Sequence, residues 1–102
     1  MRTLNIRRLI EEAVEKLPPD DRKCIRRLRL FGSRLHGTHK RDSDIDLLVD
    51  LAYPVGFFTL VRCEEGLRKT IGIKVDLRTP EEISHFIRDE VLQEAQTVYE
   101  AQ

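Results

Sequence analysis

The stretch that decides the fold is FGSRLHGTHKRDSDIDLLVD, residues 31–50. It contains the pair Gly32-Ser33, then ten residues, then an Asp-x-Asp pair formed by Asp44 and Asp46. Around the second pair, aliphatic residues alternate with polar ones, which is typical of a half-buried β-strand. The segment therefore predicts a turn followed by a strand whose two acids share the face opposite an aliphatic core face.

A second acidic strand is predicted further along the chain, in KVDLR at residues 74–78. Aliphatic residues flank Asp76, so this carboxylate should point away from the core, as Asp44 and Asp46 do. Three carboxylates packed together without a cation would repel one another and raise one another's pKa. Carboxylate oxygens suit Mg²⁺ or Mn²⁺ better than zinc. The pattern thus predicts a two-metal site, the alternative being ordinary solvent-facing acids.

The Gly-Ser pair upstream predicts a phosphate-binding loop. Gly32 has no side chain, so a phosphate can approach its backbone closely. Ser33 offers a hydroxyl and a backbone N–H at the start of a predicted short helix. Arg34 follows directly and can neutralise phosphate charge, and Lys40 and Arg41 can do the same or contact a partner, if they are not simply solvated. A phosphate loop before a metal-binding strand describes a site for a metal-bound nucleoside triphosphate.

Hydrophobic periodicity predicts the other elements and the fold class. An α+β fold is expected, with a small mixed β-sheet and helices packed on one face. A chain of 102 residues fits one domain, 1–102, and has no room for a separate substrate domain. The predicted elements are helices over 3–17 and 57–70, strands over 24–31, 44–51 and 73–78, and a C-terminal helix or pair of helices from Thr79 to about Glu100.

Composition narrows the classes of function. The chain is 40% hydrophobic and 35% charged with no formal net charge, which is typical of a globular protein. It has no apolar stretch long enough for a bilayer and no signal-peptide core, so a cytoplasmic protein without membrane contact is expected. Cys24 and Cys63 are expected to be reduced packing residues. The basic run from Arg22 to Arg41 is interpreted as a solvated face, so direct nucleic-acid binding is not expected.

The Gly-Ser pair, the ten intervening residues and the Asp-x-Asp pair resemble the G-S-x10-D-x-D motif of the DNA polymerase β-like nucleotidyltransferase superfamily. With KVDLRTPEEI at residues 74–83, the chain resembles the minimal nucleotidyltransferase (MNT) proteins of bacteria and archaea over nearly its whole length. The resemblance implies a polymerase β-like core. It also implies a site in which the triphosphate is held by Gly32 and Ser33, and the metals by Asp44, Asp46 and Asp76, with Asp76 completing the catalytic group.

The same resemblance implies an activity and a partner. MNT proteins commonly act as antitoxins beside a HEPN-domain ribonuclease toxin, and they transfer AMP from ATP to a tyrosine of that toxin. The chain is therefore expected to be a Mg²⁺-dependent (or Mn²⁺-dependent) protein adenylyltransferase that forms a hetero-oligomer with its toxin. Two alternatives stay open at this point. One is an antitoxin that neutralises its toxin by binding alone, and the other is a transferase acting on a small molecule or an RNA end.

Overall fold

The computed structural model describes residues 3–37 and 43–102. Five helices and four strands are found in these ranges, together with a 3₁₀ turn at Pro80–Glu82. The helices are α1 (Thr3–Glu15), α2 (Pro19–Lys23), α3 (Ser33–His36), α4 (Phe57–Ile71) and α5 (Arg88–Glu94), and the strands are β1 (Ile25–Phe31), β2 (Ile45–Leu51), β3 (Val75–Arg78) and β4 (Gln96–Glu100).

The four strands form one mixed sheet in the order β3-β2-β1-β4. β1 pairs antiparallel with β2 and with β4, whereas β2 and β3 run parallel. The parallel pair needs a crossover connection, and α4 provides it. The predicted α+β class with a small mixed sheet is confirmed. Because β2 and β3 run parallel and in register, the two acidic strands begin side by side at the same end of the sheet.

The hydrophobic core lies between α1, α4 and one face of the sheet. Gly66 on α4 allows a close approach, because a Cβ at this position would overlap the Cδ2 atom of Leu17. The side chains that fill this layer are aliphatic and fully buried, which is the main favourable contribution to folding. They include Ile6, Ile10 and Val14 from α1, Leu67 from α4, and Leu28, Leu30, Ile45, Leu47 and Val49 from the strands.

The two cysteines meet in this core. The Sγ atom of Cys24 donates a hydrogen bond to the backbone oxygen of Asp21 at 3.1 Å, and burial raises the pKa of Cys63 to about 12. Both thiols are therefore protonated at neutral pH and pack as small apolar groups. The carboxylate of Asp21 is buried and accepts a hydrogen bond from Arg62 Nη2 at 2.7 Å, which joins α2 to α4.

The C-terminal segment differs from its prediction. The expected helix start at Thr79 exists, because Glu82 Oε1 accepts a hydrogen bond from the Thr79 backbone N–H at 3.1 Å, but the turn ends after Glu82. The prediction of helix up to Glu100 is wrong, since Gln96–Glu100 forms β4. Val98 is fully buried and alternates with more exposed neighbours, and pairing with β1 stabilises the strand. No helix in the described ranges could cross a membrane.

The second face of the sheet is partly covered. Leu48 alternates with Leu47 and Val49 and so points to the face opposite the core, yet it is fully buried. The 3₁₀ turn at Pro80–Glu82 contacts β2, and Ile83 beside it is also buried. The segment after β3 thus covers the middle of this face and leaves its acidic end open.

Candidate functional site

The acidic end of the second face is built from neighbouring strands. Asp46 on β2 and Asp76 on β3 are paired in the parallel register, with Phe31 opposite Asp46 on β1. Both acids alternate with buried aliphatic residues, so their carboxylates project on the side away from the core, as the sequence predicts. Two carboxylates directly opposite each other on adjacent strands repel, which is unfavourable unless a cation neutralises them.

Asp44 lies just before β2, one residue outside the strand that the sequence predicts to include it. Its Oδ2 atom is 3.7 Å from the Nζ atom of Lys74, and 43% of its side chain is exposed. Asp76 is also paired with a cation, because Arg78 Nε donates a hydrogen bond to Asp76 Oδ2 at 3.1 Å. The two outer carboxylates of the group are thus each neutralised by a nearby basic side chain.

Asp46 is the central carboxylate, and its electrostatic environment differs from that of its neighbours. Partial burial raises its pKa above the ordinary value for aspartate, and the charges of Asp76 and Asp44 raise it further, while Arg78 acts in the opposite direction. Among the described residues, Asp46 forms no ion pair of its own. The anionic form of Asp46 is therefore held in an unfavourable field that a bound cation would relieve.

Gly32 packs its backbone against this carboxylate. Its φ angle is +80°, in the left-handed region that favours glycine, and a Cβ built on it would overlap Oδ2 of Asp46. The backbone oxygen of Gly32 accepts the N–H of Leu35 at 3.1 Å, so Gly32 precedes the first turn of α3. The sequence predicts a close approach at Gly32, and in the structure the group that approaches it is Asp46.

Ser33 is the first residue of α3 and follows this glycine directly. Arg34 is only 5% exposed, and its Nε and Nη2 atoms donate hydrogen bonds to the backbone oxygen of Ser43 at 3.2 and 2.7 Å. Arg34 thereby fixes the chain immediately before Asp44. This contact gives Arg34 a positioning role, and a direct contact with phosphate stays a prediction. Lys40 and Arg41 lie outside the described residues.

The carboxylates have the donor chemistry of a metal site but not yet its arrangement. Within residues 3–37 and 43–102, no three His, Cys, Asp or Glu side chains are placed so that they could hold a metal ion as they stand. The donors themselves are hard carboxylate oxygens, which is the ligand type that Mg²⁺ and Mn²⁺ prefer. Asp46 has no basic partner among the described residues, and the carboxylates of Asp44 and Asp76 beside it are paired with basic side chains. Once Asp44 and Asp76 turn from these partners, the three carboxylates fit a divalent ion.

Three residues near the site were not predicted. Lys74 and Arg78 are the partners of the outer carboxylates, and Glu64 on α4 accepts the backbone N–H of Leu77 at 2.7 Å. The period of two along β3 puts Asp76 and Arg78 on the same side, so their pairing could have been found from the sequence. The contact of Glu64 depends on how α4 crosses the sheet edge, which local periodicity does not reveal.

A family model described as a nucleotidyltransferase domain matches residues 6–98. A relative, the protein adenylyltransferase MntA of Thermococcus cleftensis, is 34% identical over 72% of this chain and 75% of its own length. A solved structure described as a candidate minimal nucleotidyltransferase is 28% identical and covers 93% of this chain and 94% of its own, with a TM-score of 0.72.

Another solved structure shares the fold at lower identity. It contains a tri-AMPylated HEPN toxin of Shewanella oneidensis in complex with an MNT antitoxin. The match is 22% identical, covers 94% of this chain and 74% of that one, and has a TM-score of 0.63. At this identity the similarity supports the fold alone.

Proposed function

The chain belongs to the nucleotidyltransferase domain family, as the motif in residues 31–50 predicts, and we propose that it is a protein adenylyltransferase that transfers AMP from ATP to a hydroxyl group of a protein partner. The observation that supports this most directly is the surroundings of Asp46. Its carboxylate lies against the side-chain-free backbone of Gly32, opposite Asp76, and in the field of Asp44. The loop proposed to bind phosphate thus lies against the carboxylate group proposed to bind metal, which supports a role in nucleotide transfer.

The nucleotide site is proposed from the chain's own residues. Gly32 brings its side-chain-free backbone against the Asp46 carboxylate, and the first turn of α3 begins at Ser33 with backbone N–H groups that can donate to phosphate oxygens. Asp44 and Asp46 would hold two divalent metal ions, Mg²⁺ or Mn²⁺, and Asp76 would hold the catalytic one; when bound, the metals would neutralise triphosphate charge and activate the attacking oxygen. Arg34 would keep Asp44 in place through Ser43.

The proposed reaction is an in-line displacement at the α-phosphorus of ATP. The oxygen of the acceptor hydroxyl forms a bond to the α-phosphorus, and the bond from that phosphorus to the oxygen bridging to the β-phosphate breaks. Pyrophosphate leaves, and the hydroxyl proton is released, with Asp76 as the candidate acceptor for it. Asp76 suits this role because 30% of its side chain is exposed to solvent.

The proposed partner is a HEPN-domain toxin, and the proposed acceptor is a tyrosine of that toxin. The relative in Thermococcus cleftensis is named a protein adenylyltransferase, and the Shewanella oneidensis complex pairs an AMPylated HEPN toxin with an MNT antitoxin. The two alternatives from the sequence are separate outcomes of the experiment. An unmodified but neutralised partner would indicate binding alone, and a partner that is neither modified nor neutralised would favour transfer to a small molecule or RNA end.

The test is co-expression of this chain with a HEPN-domain protein encoded next to it, followed by intact-mass spectrometry of that protein. We expect the mass of one or more AMP groups on the partner, and peptide mapping should place them on tyrosine. The transfer should also occur with purified components and ATP, and it should stop when a chelator removes the divalent metal.

A double variant and a matched control test the site. Asp44→Asn with Asp46→Asn should abolish both AMP transfer and the binding of ATP in the presence of Mg²⁺, measured by calorimetry. Asp50→Asn, on the same strand, should retain both. An unmodified partner that is still neutralised by the wild type would mean a binding antitoxin. Full transfer by the double variant would refute the proposed site.

A further inference from the structure

Arg78 forms an ion pair with Asp76, one of the carboxylates that the proposed function assigns to a metal. It lies on β3 two residues after Asp76, and alternation along the strand puts both side chains on the same side. Its Nε and Nη2 atoms each lie 3.1 Å from the Oδ2 atom of Asp76. The guanidinium is therefore paired directly with one of the two oxygens that Asp76 could offer to a metal ion.

A longer ion pair of the same kind joins Lys74 to the other outer carboxylate, Asp44. Lys74 Nζ lies 3.7 Å from Asp44 Oδ2, and 71% of the Lys74 side chain is exposed, against 45% for Arg78. An amine at that distance and exposure interacts weakly, whereas the Arg78 guanidinium is closer to its carboxylate and donates a hydrogen bond to it from Nε. Of the two basic residues, Arg78 is thus the stronger competitor for a site oxygen.

We propose that Arg78 is an internal counter-ion that competes with the divalent metal for Asp76 and must leave this carboxylate before the metal site can form. The inference rests on the proposed function, because it takes Asp76 as a metal ligand. It explains why no three acidic side chains in the described part of the chain are placed to hold a metal, although three carboxylates are gathered at one sheet edge. Arg78 is in this sense a positioning residue, which sets the affinity of the site for the metal.

If Arg78 competes with the metal, removing its side chain should increase the affinity of the site for metal. Removing a positive side chain frees Asp76, so Arg78→Ala should bind Mn²⁺ more tightly than the wild type. Ion pairs that are half exposed have small free energies, which corresponds to an effect of about two- to fivefold in the dissociation constant. Lys74→Ala should change the constant by less, because its pair is longer and more exposed.

The measurement is titration of the full chain with Mn²⁺ alone, without nucleotide or partner, by calorimetry or by the electron paramagnetic resonance signal of free Mn²⁺. Arg68→Ala is the matched control, because Arg68 forms a comparably exposed pair with Glu65 on α4 at 2.9 Å. It removes the same charge and should leave the dissociation constant unchanged. Arg78→Lys keeps the charge and should stay close to the wild type.

A double-variant comparison separates competition at Asp76 from a general change in charge. In the Asp76→Asn background the carboxylate is gone, so adding Arg78→Ala should no longer tighten Mn²⁺ binding. Thermal unfolding of each variant checks that the fold is retained. If Arg78→Ala proves poorly folded, the comparison of Arg78→Lys with Arg78→Gln in the two backgrounds gives the same test.

The possible outcomes distinguish this inference from the function it rests on. If the wild type binds Mn²⁺ and Arg78→Ala binds it equally or more weakly, the competition is refuted while the metal site stands. Tightening that persists in the Asp76→Asn background refutes it as well, because the effect is then unrelated to Asp76. A wild type that binds no Mn²⁺ at concentrations where transfer requires metal would contradict the metal site itself, and the inference with it.

Discussion

Asp46 and Asp50 lie four residues apart on β2, on the same face of the sheet, but basic side chains surround Asp50 and acidic ones surround Asp46. Asp50 accepts hydrogen bonds from Arg27 Nε at 2.8 Å and from Arg29 Nη2 at 3.1 Å. The pKa of Asp46 is instead raised, first by partial burial and then by the neighbouring carboxylates of Asp76 and Asp44. Asp50 therefore has its charge neutralised within the fold, whereas Asp46 forms no ion pair in the part of the chain that the structure describes.

The difference shows that a candidate functional site can lower the stability of a small domain. At the Asp50 end the ion pairs hold β1 to β2, so the charge contributes to stability. At the Asp46 end repulsion is retained, which is expected where binding or catalysis requires it. Cavity size does not identify the end with the candidate site, because the larger cleft, of about 500 Å³, lies beside Asp50. The cleft beside Asp76 has a volume of only about 200 Å³. The chemistry of the side chains does identify that end.

The largest expected effect compares catalysis at the two ends. Asp76→Asn should lower the rate of AMP transfer at least about 100-fold, or some 2.7 kcal/mol in the barrier, because it removes a metal ligand and a candidate proton acceptor. ATP should still bind through Asp44 and Asp46. Asp50→Asn should change the rate little. The rates are measured by mass spectrometry of the partner, and a similar loss in both variants would erase the functional contrast between the two ends.

A smaller effect concerns the backbone that faces Asp46. Gly32→Ala places a Cβ on the Asp46 carboxylate and also forces alanine into a left-handed conformation. We expect nucleotide binding to weaken by about tenfold, since the methyl group would displace the Asp46 carboxylate that the proposed site needs. The measurement is calorimetric titration with ATP and Mg²⁺.

Gly72→Ala is the matched control for backbone strain. Gly72 ends α4 with a φ angle of +82°, almost the same as that of Gly32, but a Cβ there would meet nothing within 4 Å. Both variants should lose about 1 kcal/mol or more of stability from the unfavourable φ angle. Only Gly32→Ala should lose nucleotide affinity. Equal affinity in the two variants would mean that Gly32 is needed for the turn alone.

The acidic end could be predicted from the sequence because the pattern that defines it is local. Asp46 and Asp76 each alternate with buried aliphatic residues on a short strand, and a period of two fixes the side to which they point. The Gly-Ser pair and the spacing to Asp44 add the family motif. The mixed sheet and its helical cover follow from similar periodic segments.

What the sequence does not reveal depends on contacts between distant segments. Gln96–Glu100 has one fully buried side chain, Val98, and becomes a strand because β1 offers an edge to pair with. The burial of Leu48 depends on the segment after β3, which folds back over the sheet near Ile83. The buried contact of Arg34 with the backbone of Ser43 also depends on the course of the chain, so the sequence does not reveal this positioning role.

The smallest expected effect is on stability, and its sign should differ between the two ends. Asp50→Asn removes the charge that pairs with Arg27 and Arg29, and the Arg29 side chain is only 14% exposed. We expect a loss of about 1–2 kcal/mol in the free energy of unfolding at pH 7, because a largely buried guanidinium loses an anionic partner. Asp46→Asn should instead stabilise the metal-free protein by about 0.2–1 kcal/mol, since it removes repulsion between facing carboxylates.

The gain at Asp46 should depend on pH in a defined direction. In the folded protein the pKa of Asp46 is raised, so its ionised form is less favourable there than in the unfolded chain. The penalty is absent below the unfolded pKa, near pH 4, and is complete once the pH exceeds the folded pKa. Urea unfolding of both proteins in chelator should therefore show Asp46→Asn more stable at pH 7, with the difference shrinking as the pH falls through the acid range. A difference that stays constant across this range would mean that the substitution acts through packing, and Asp46 and Asp50 would then not differ in the electrostatic way described above.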